Sequence, residues 1–365
     1  MRRILIVNMT NKIIDQPMNT QQENNTCAFC GHRVANKKNT HYLTDFIIRK
    51  CLNHGGSKDR EKGSCFEIST HQTSVAYHFQ RGVLPETIEE ILGRPSSDKE
   101  KLQERTIPFS VDYFFCSECE KKFTKHETNF SNRILPKFRK KTPHNTEEVV
   151  ISGTDISKLR LFFYIQLWRS CVCGKLSLPD SLQQKLHTFI LNYKNPTDEI
   201  YDIPLSITYL ETRKDEDYTG NIVTFGTTCN PYVIFMNDFV VQVYDSLENK
   251  HFCELYGINE ESSFDQYINV GENEFRVKVV NDEKRKIIIE NFMREQAEIF
   301  RYGLQDIFIR VSLYFFGHLP EPNQFDEFML RINNKPIGIR YSKSEIVKEL
   351  YNYFTGRVPG PSNFL

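Results

Sequence analysis

The spacing of apolar and polar positions changes character along this chain. Residues 40 to 46, THYLTDF, and 110 to 115, SVDYFF, alternate, and alternation reads as strand. LPETIEEILGR, from residue 84, predicts a helix with Pro85 and Thr87 near its start and Gly93 at its end. CSECEKKFTKHETNFSNRI, from 116, is helical in composition. The basic, proline-bounded PKFRKKTPHNTEE that follows reads as a linker, with a domain boundary near residue 145. Beyond it, Leu161, Tyr164, Ile165 and Trp168 recur at helical spacing, so residues 155–172 predict a buried helix capped by Asp155 or Ser157. A second helix covers 179–193. Strands then take over at 203–211, 221–228 and 232–244, with Asn237-Asp238 as a tight turn in the last. From about Asn281 the pattern is helical for some 35 residues, and FDEFMLRI and SKSEIVKELYNYF add two more helices.

This is an α+β pattern in several parts. Residues 1–26 form a lead-in or leading strand, 27–145 a cysteine-bearing domain with a long insertion at about 52–110, 146–280 a mixed domain with antiparallel strands, and 281–365 a helical region. At 365 residues, 13% aromatic and 26% charged, the composition is that of a folded protein. No apolar run reaches the roughly 18 residues of a membrane span. The apolar stretch in MRRILIVNMTNKII falls short of a signal-peptide core, which points to the cytoplasm. Net charge is zero but uneven. Residues 27–145 carry 21 Lys and Arg against 14 Asp and Glu, and 146–365 carry 23 against 31. A basic, nucleic-acid-facing part joined to an acidic, partner-facing part fits that asymmetry; solvated surface is the plainer account.

Ten cysteines in a chain without a secretion signal point to metal rather than disulfides. Cys27 and Cys30, with Cys116 and Cys119, form two Cys-x-x-Cys pairs, the donor set of a tetrahedral structural Zn²⁺ site. Two unrelated hairpins with buried thiols are the alternative. His32 is a further donor beside a set that is already complete. Cys51 and Cys65 flank a glycine loop and either join His54 or His71 in an auxiliary site or are plain thiols. Cys171-x-Cys173 is too closely spaced for chelation and reads as helix-end packing. Trp168-Arg169 reads as a core tryptophan with an arginine reaching a carboxylate or helix end.

Zinc accounts for the cysteines but not for His41. A histidine heading a strand between two cysteine pairs is where a ββα-metal nuclease places its general base, with a separate divalent ion on the scissile phosphate. The layout resembles bacterial HNH-like proteins with a zinc-finger pattern. The matching stretches are CAFCG (27–31), THYLTDF (40–46), CSECEKKFTKHE (116–127) and LFFYIQLWRS (161–170), and the resemblance spans about 27–245. It implies a treble-clef or ββα zinc domain and hydrolysis of DNA; RNA stands beside DNA as a candidate partner. It implies His41 as base, Glu120 as a ligand of Mg²⁺ or another divalent ion, and a setting in phage defence or mobile elements. Thr40 stands where such enzymes keep an acidic or histidine ligand, and Thr44 where they keep proline. Asp45, His126 or Glu127 would have to complete the site. The plainer readings are a hydrogen-bonded strand histidine and a glutamate favouring a helix N-terminus. Arg33, Lys37, Lys38, Arg49 and Lys50, with Lys137, Arg139, Lys140 and Lys141, are the candidate phosphate contacts. The mixed domain carries no phosphate loop and no nucleophile triad, which leaves it a sensing or partner-binding role. Three functions follow: an HNH-like nuclease, a zinc scaffold that binds nucleic acid or a protein without cleaving, or a subunit of a larger complex joined through an acidic helical C-terminal part.

Overall fold

Tight turns and short ladders build the first part of the chain. The computed structural model describes residues 26–52, 64–67, 76–79, 84–96, 109–139, 146–193, 198–212, 222–226, 230–333 and 343–356. A knuckle closed by a bridge between Thr26 and Val34 leads into β1 (Thr40–His41), and helix α1 (Asp45–Leu52) follows almost at once. The run THYLTDF is therefore strand for two residues only. The Thr44 carbonyl accepts from the Ile47 and Ile48 N–H groups, and Asp45 pairs with Arg49 one turn along. A helix start and an i,i+4 ion pair outweigh alternation over so short a stretch. Strands β2 (Ser64–Glu67) and β3 (Ala76–Phe79) pair with each other. Helix α2 (Pro85–Leu92) opens on Pro85 and stops at Gly93, whose φ of 64° suits a residue without Cβ. Strand β4 (Ser110–Val111) returns to β1, with Thr40 opposite Val111 and His41 opposite Ser110.

Helix α3 (Ser117–Asn129) continues through a π turn at Phe130–Ile134 into α4 (Leu135–Arg139). The start of the expected linker is thus helical, because Leu135 and Phe138 are buried. Next come β5 (Glu148–Ser152) and α5 (Thr154–Val172). Gly153, at φ 59°, precedes α5 where a side-chain cap was expected. Asp155 instead accepts from Lys137 and Lys158, and the Ser157 hydroxyl donates to the Thr154 carbonyl. Helix α5 is buried nearly all round, as a helix enclosed on every side must be. Its Phe162 stacks on Phe130 of the π turn, centroids 3.8 Å apart. Helix α6 (Asp180–Leu191) packs beside it.

The remaining strands are β6 (Leu205–Leu210), β7 (Val223–Phe225), β8 (Tyr232–Met236), β9 (Phe239–Val243) and β10 (Glu274–Val280). With β5 they form a six-stranded sheet in the order β5-β10-β6-β9-β8-β7, antiparallel except where β10 meets β6. Alternate residues serve opposite faces. Ile207, Ile234, Val241 and Val277 join the larger hydrophobic cluster, while Leu210, Val233, Phe235 and Val240 join a second one. The larger cluster crosses residue 145 without a break, running from Cys27, Phe29 and Phe123 through Phe162 and Trp168 to the sheet.

Asn237 and Asp238 do make the β8–β9 turn, and the turn is buried. Asp238 accepts from Arg139 of α4 at 3.1 Å. Helix α7 (Asp282–Phe316) sends Arg285, 1% exposed, to the Asn237 side chain at 2.8 Å and the Leu210 carbonyl at 2.7 Å. Asn281 caps α7 by accepting from the Lys284 N–H, and Gly317 ends it at φ 71°. At a rise of 1.5 Å per residue this helix is about 52 Å long. Its first turns cover the second face of the sheet with Ile288, Ile289 and Phe292. Its last turns join α8 (Gln324–Asn333) and α9 (Lys343–Thr355) in a third cluster around Phe308, Phe328 and Phe354. No helix among the described residues is long and apolar enough to cross a membrane.

Candidate metal centre

The knuckle is wound tightly by its own backbone. The Cys27 N–H donates to the Arg33 carbonyl at 2.7 Å, and the Gly31 N–H, at φ 69°, donates to the Cys27 carbonyl at 2.9 Å. The second pair sits at the start of α3, with Cys116 as the residue before the helix and Cys119 in its first turn. Asn36 caps that helix from outside, its Oδ1 accepting from both the N–H and the hydroxyl of Ser117 at 3.0 Å. The Ala28 N–H donates to the Phe114 carbonyl, and the Cys116 N–H donates to Cys27 Sγ at 3.2 Å. The β1–β4 pair returns the chain across the long insertion, so the distance in sequence between the two pairs does not keep them apart.

All four sulfurs lie within 4.8 Å of one another. Zinc–sulfur bonds of about 2.3 Å in a tetrahedron place sulfurs roughly 3.8 Å apart, so the cluster fits a metal ion such as zinc with a small contraction. Its electrostatics are uneven. Burial pushes the Cys27 and Cys119 thiols up. Burial also acts on Cys30, but backbone N–H groups of His32 and Arg33 and the neighbouring sulfurs outweigh it and bring that thiol down to about 6. The exposed Arg33 guanidinium hydrogen-bonds the Cys116 sulfur, which raises its own pKa. His32 turns away, its Nδ1 2.7 Å from the Cys30 carbonyl.

An aromatic shell locks the cluster to the rest of the protein. Phe29 packs edge-on to Phe123, Trp168 and His187. His187 of α6 stacks on Trp168 and donates from Nε2 to the Phe29 carbonyl at 2.7 Å. Sequence reading did not single out His187, since nothing local ties residue 187 to residue 29.

Behind the cluster lies a buried polar clamp. Arg169, 2% exposed, lies over the Phe115 and Phe123 rings at 5.4 and 5.1 Å. Its Nη1 donates to Glu127 at 3.1 Å and its Nη2 to Glu120 at 3.5 Å. Glu127 also accepts from the Thr44 hydroxyl at 3.0 Å, and the Thr44 N–H donates to Gln166 at 2.9 Å. Helix α5 thereby grips both α3 and the corner that follows His41. Burial raises the Glu120 pKa, Arg169 lowers it, and Glu127 raises it again. The expected role of Arg169, reaching carboxylates beside a core tryptophan, is met.

Among the described residues the four cysteines are the one group of three or more His, Cys, Asp or Glu whose ligand atoms converge in this way. His41, Asp45, Glu120, His126 and Glu127 form no second such group. His126 is a core residue, edge-on to Tyr193 at 4.4 Å, and burial with Lys125 nearby brings its pKa down to about 4. The Cys171 thiol donates to Gln183 at 3.2 Å, and burial lifts Cys173 to about 12, as suits helix-end packing.

The candidate phosphate contacts divide. Arg33, Lys37 and Lys38 are exposed near the cluster. Arg49 is paired with Asp45, Lys137 with Asp155 and Arg139 with Asp238, so these three serve the fold. The Lys50 side chain, Lys140 and Lys141 lie outside the described residues, as do His54, His71 and the side chains of Cys51 and Cys65. Two residues beside the site were missed. Lys175 places Nζ 5.8 Å from the Tyr42 ring, and Tyr113 lies 5.2 Å beneath Lys38 Nζ. No family model, no curated protein and no solved structure matches this chain.

Proposed function

We propose that the chain is a nucleic-acid-binding protein built on a zinc framework of the HNH-like kind. The surroundings of His41 carry this reading. From Cys27 to Thr44 the sequence has no acidic residue, and Arg33, Lys37 and Lys38 are exposed there. Lys175 joins them from beyond α5. Positive charge on a surface held by a metal-linked scaffold suits phosphate contacts, which are salt-dependent and blind to sequence. Zn²⁺ bound by Cys27, Cys30, Cys116 and Cys119 supplies a cross-link between knuckle and helix; Asn36, His187 and Arg169 hold the parts it joins.

A second reading is metal-dependent hydrolysis of DNA in defence against foreign nucleic acid. The position of His41 favours it, on a short strand between the two cysteine pairs. His41 would take the proton from water and Glu120 would hold Mg²⁺ or another divalent ion. That requires Glu120, now at Arg169, to be released. Plasmid and single-stranded DNA incubated with Mg²⁺, Mn²⁺ or Ni²⁺ separate the two. Cleavage by wild type but not by His41→Ala, at equal zinc content, supports hydrolysis. Retained affinity without cleavage supports the binding reading, and absence of affinity for DNA and RNA sinks both. A subunit role through the C-terminal part gains nothing from charge. The acidic surplus lies in 146–280, with 20 acidic against 11 basic residues, while 281–365 holds 11 against 12.

A further inference from the structure

We infer that Tyr113, with Lys38 over its ring, is a stacking platform for an unpaired base, so that the nucleic acid bound beside His41 is single-stranded. This rests on the nucleic-acid reading above and names its substrate class. Tyr113 is 44% exposed, and its φ is 60°, a left-handed conformation that bulky side chains rarely adopt. Core packing does not repay it. The neighbouring Phe109, Val111 and Phe114 pack against the hydrophobic core, whereas Tyr113 does not. Among the described residues the contact recorded for its ring is the Lys38 ammonium at 5.2 Å.

The backbone around it is built to hold that pose. The Tyr113 N–H donates to the Lys37 carbonyl at 2.7 Å, and the Lys37 N–H donates to the Phe115 carbonyl at 3.1 Å. Opposite Asp112, Asn39 is also left-handed, at φ 53°, and its N–H donates to Asp112 Oδ1 at 2.6 Å. Two left-handed residues flanking the strands, one of them a bulky tyrosine, thus turn an aromatic ring and two lysines outward, next to the β1–β4 pair that carries His41. Strain without a packing reward marks a functional position.

The partner follows from these groups. Lys37, Lys38 and Arg33 match a phosphate backbone, and an exposed ring beside them matches the face of a base. In a duplex, base faces are already covered by neighbouring bases, so the ring selects an unpaired strand. The acidic groups on the adjoining segments are engaged: Asp112 with Asn39, Glu118 with Lys121, and Glu120 with Arg169.

The test uses the full-length, zinc-loaded chain with a fluorescent thymidine oligonucleotide, a duplex of equal length, and a single strand bearing 2-aminopurine. Tyr113→Asn removes the ring but keeps a residue that tolerates the left-handed backbone; Tyr113→Phe keeps the ring. Zinc content and melting midpoint establish that both variants fold. Tyr113→Asn is expected to weaken single-strand binding about 5- to 150-fold, the range for loss of one stacked base. Duplex binding should not change, Tyr113→Phe should bind like wild type, and 2-aminopurine quenching should disappear in Tyr113→Asn alone. Unchanged single-strand affinity in Tyr113→Asn, with losses on both substrates in Lys37→Glu and Lys38→Glu, overturns the stacking platform and leaves the nucleic-acid reading standing. Absence of binding by wild type to any of the three substrates overturns both.

Discussion

Replacing Arg169 with methionine tests the polar clamp directly. Methionine retains most of the apolar stem over Phe115 and Phe123 but removes the charge. Two carboxylates would then remain, with side chains 15% and 19% exposed, both without the guanidinium that bridges them, while Glu127 keeps the Thr44 hydroxyl. Removing one partner of a buried ion pair costs roughly 3–5 kcal/mol. Loss of the cation–π contacts adds to that. At roughly 2–4 °C per kcal/mol for domains of this order, the melting midpoint should fall by about 10 °C. The pH dependence is more diagnostic. Burial already holds the Glu120 pKa above its ordinary 4.5, so its contribution is fully present below that pH and is lost as pH rises through the folded value. Without Arg169, which lowers it, the pKa rises further. The deficit of Arg169→Met relative to wild type should therefore grow as pH rises above 4.5 and shrink as pH falls back toward it. Thermal unfolding of both proteins across that range, at matched zinc content, is the assay. Adding Glu120→Gln should recover part of the loss, because the uncompensated charge is gone. A drop below about 2 °C, unchanged by pH and by Glu120→Gln, would refute the claim that Arg169 neutralises buried carboxylates.

Other predictions follow from the same geometry. The purified chain should hold about one zinc ion, and cobalt substitution should give thiolate-to-metal charge-transfer bands that Cys116→Ser or Cys119→Ser weakens. A spectrum without such bands refutes the four-thiolate site. His126, brought to about 4, contributes stability that is present above its unfolded pKa of 6.5 and is lost as pH falls toward 4. His126→Gln should flatten stability over that window, read by urea unfolding, and an unaltered slope would show that His126 is not the group titrating. Asp238→Ala leaves Arg139 and the fully buried Arg285 without their shared carboxylate, so it should destabilise by about 3 kcal/mol or more. Arg139→Ala, whose partly exposed guanidinium can be replaced by water, should cost much less.

The sequence was most legible where a signal is local and long. The periodicity of 155–172 and 281–316 and the Asn237-Asp238 turn lead to the observed α5, α7 and β8–β9 hairpin. Strands β5 and β10 escaped notice because their identity lies in each other: EVVIS is a short run that begins on the last residue of what reads as linker, and its pairing with EFRVKVV makes it strand. The boundary near 145 follows a composition shift, whereas the hydrophobic core is blind to composition and runs across it. At the site, cysteine spacing is a chemical signature readable without coordinates. The commitments of Glu120 to Arg169 and of Arg139 to Asp238 join residues 49 and 99 positions apart, and no spacing rule reports them.

Helix α7 carries two separate cores on a single rod, and between them Met293, Ile299 and Tyr302 are exposed. A rod of this kind acts as a shaft that sets phase. One residue inserted in the exposed stretch would rotate everything beyond it by about 100° and advance it by about 1.5 Å. Neither core would lose a contact. Seven inserted residues, almost two full turns, would restore the original azimuth to within about 20°. Any task that needs the terminal helices to face the metal-bearing half from a fixed direction would fail after one insertion and return after seven, while thermal stability stayed level throughout.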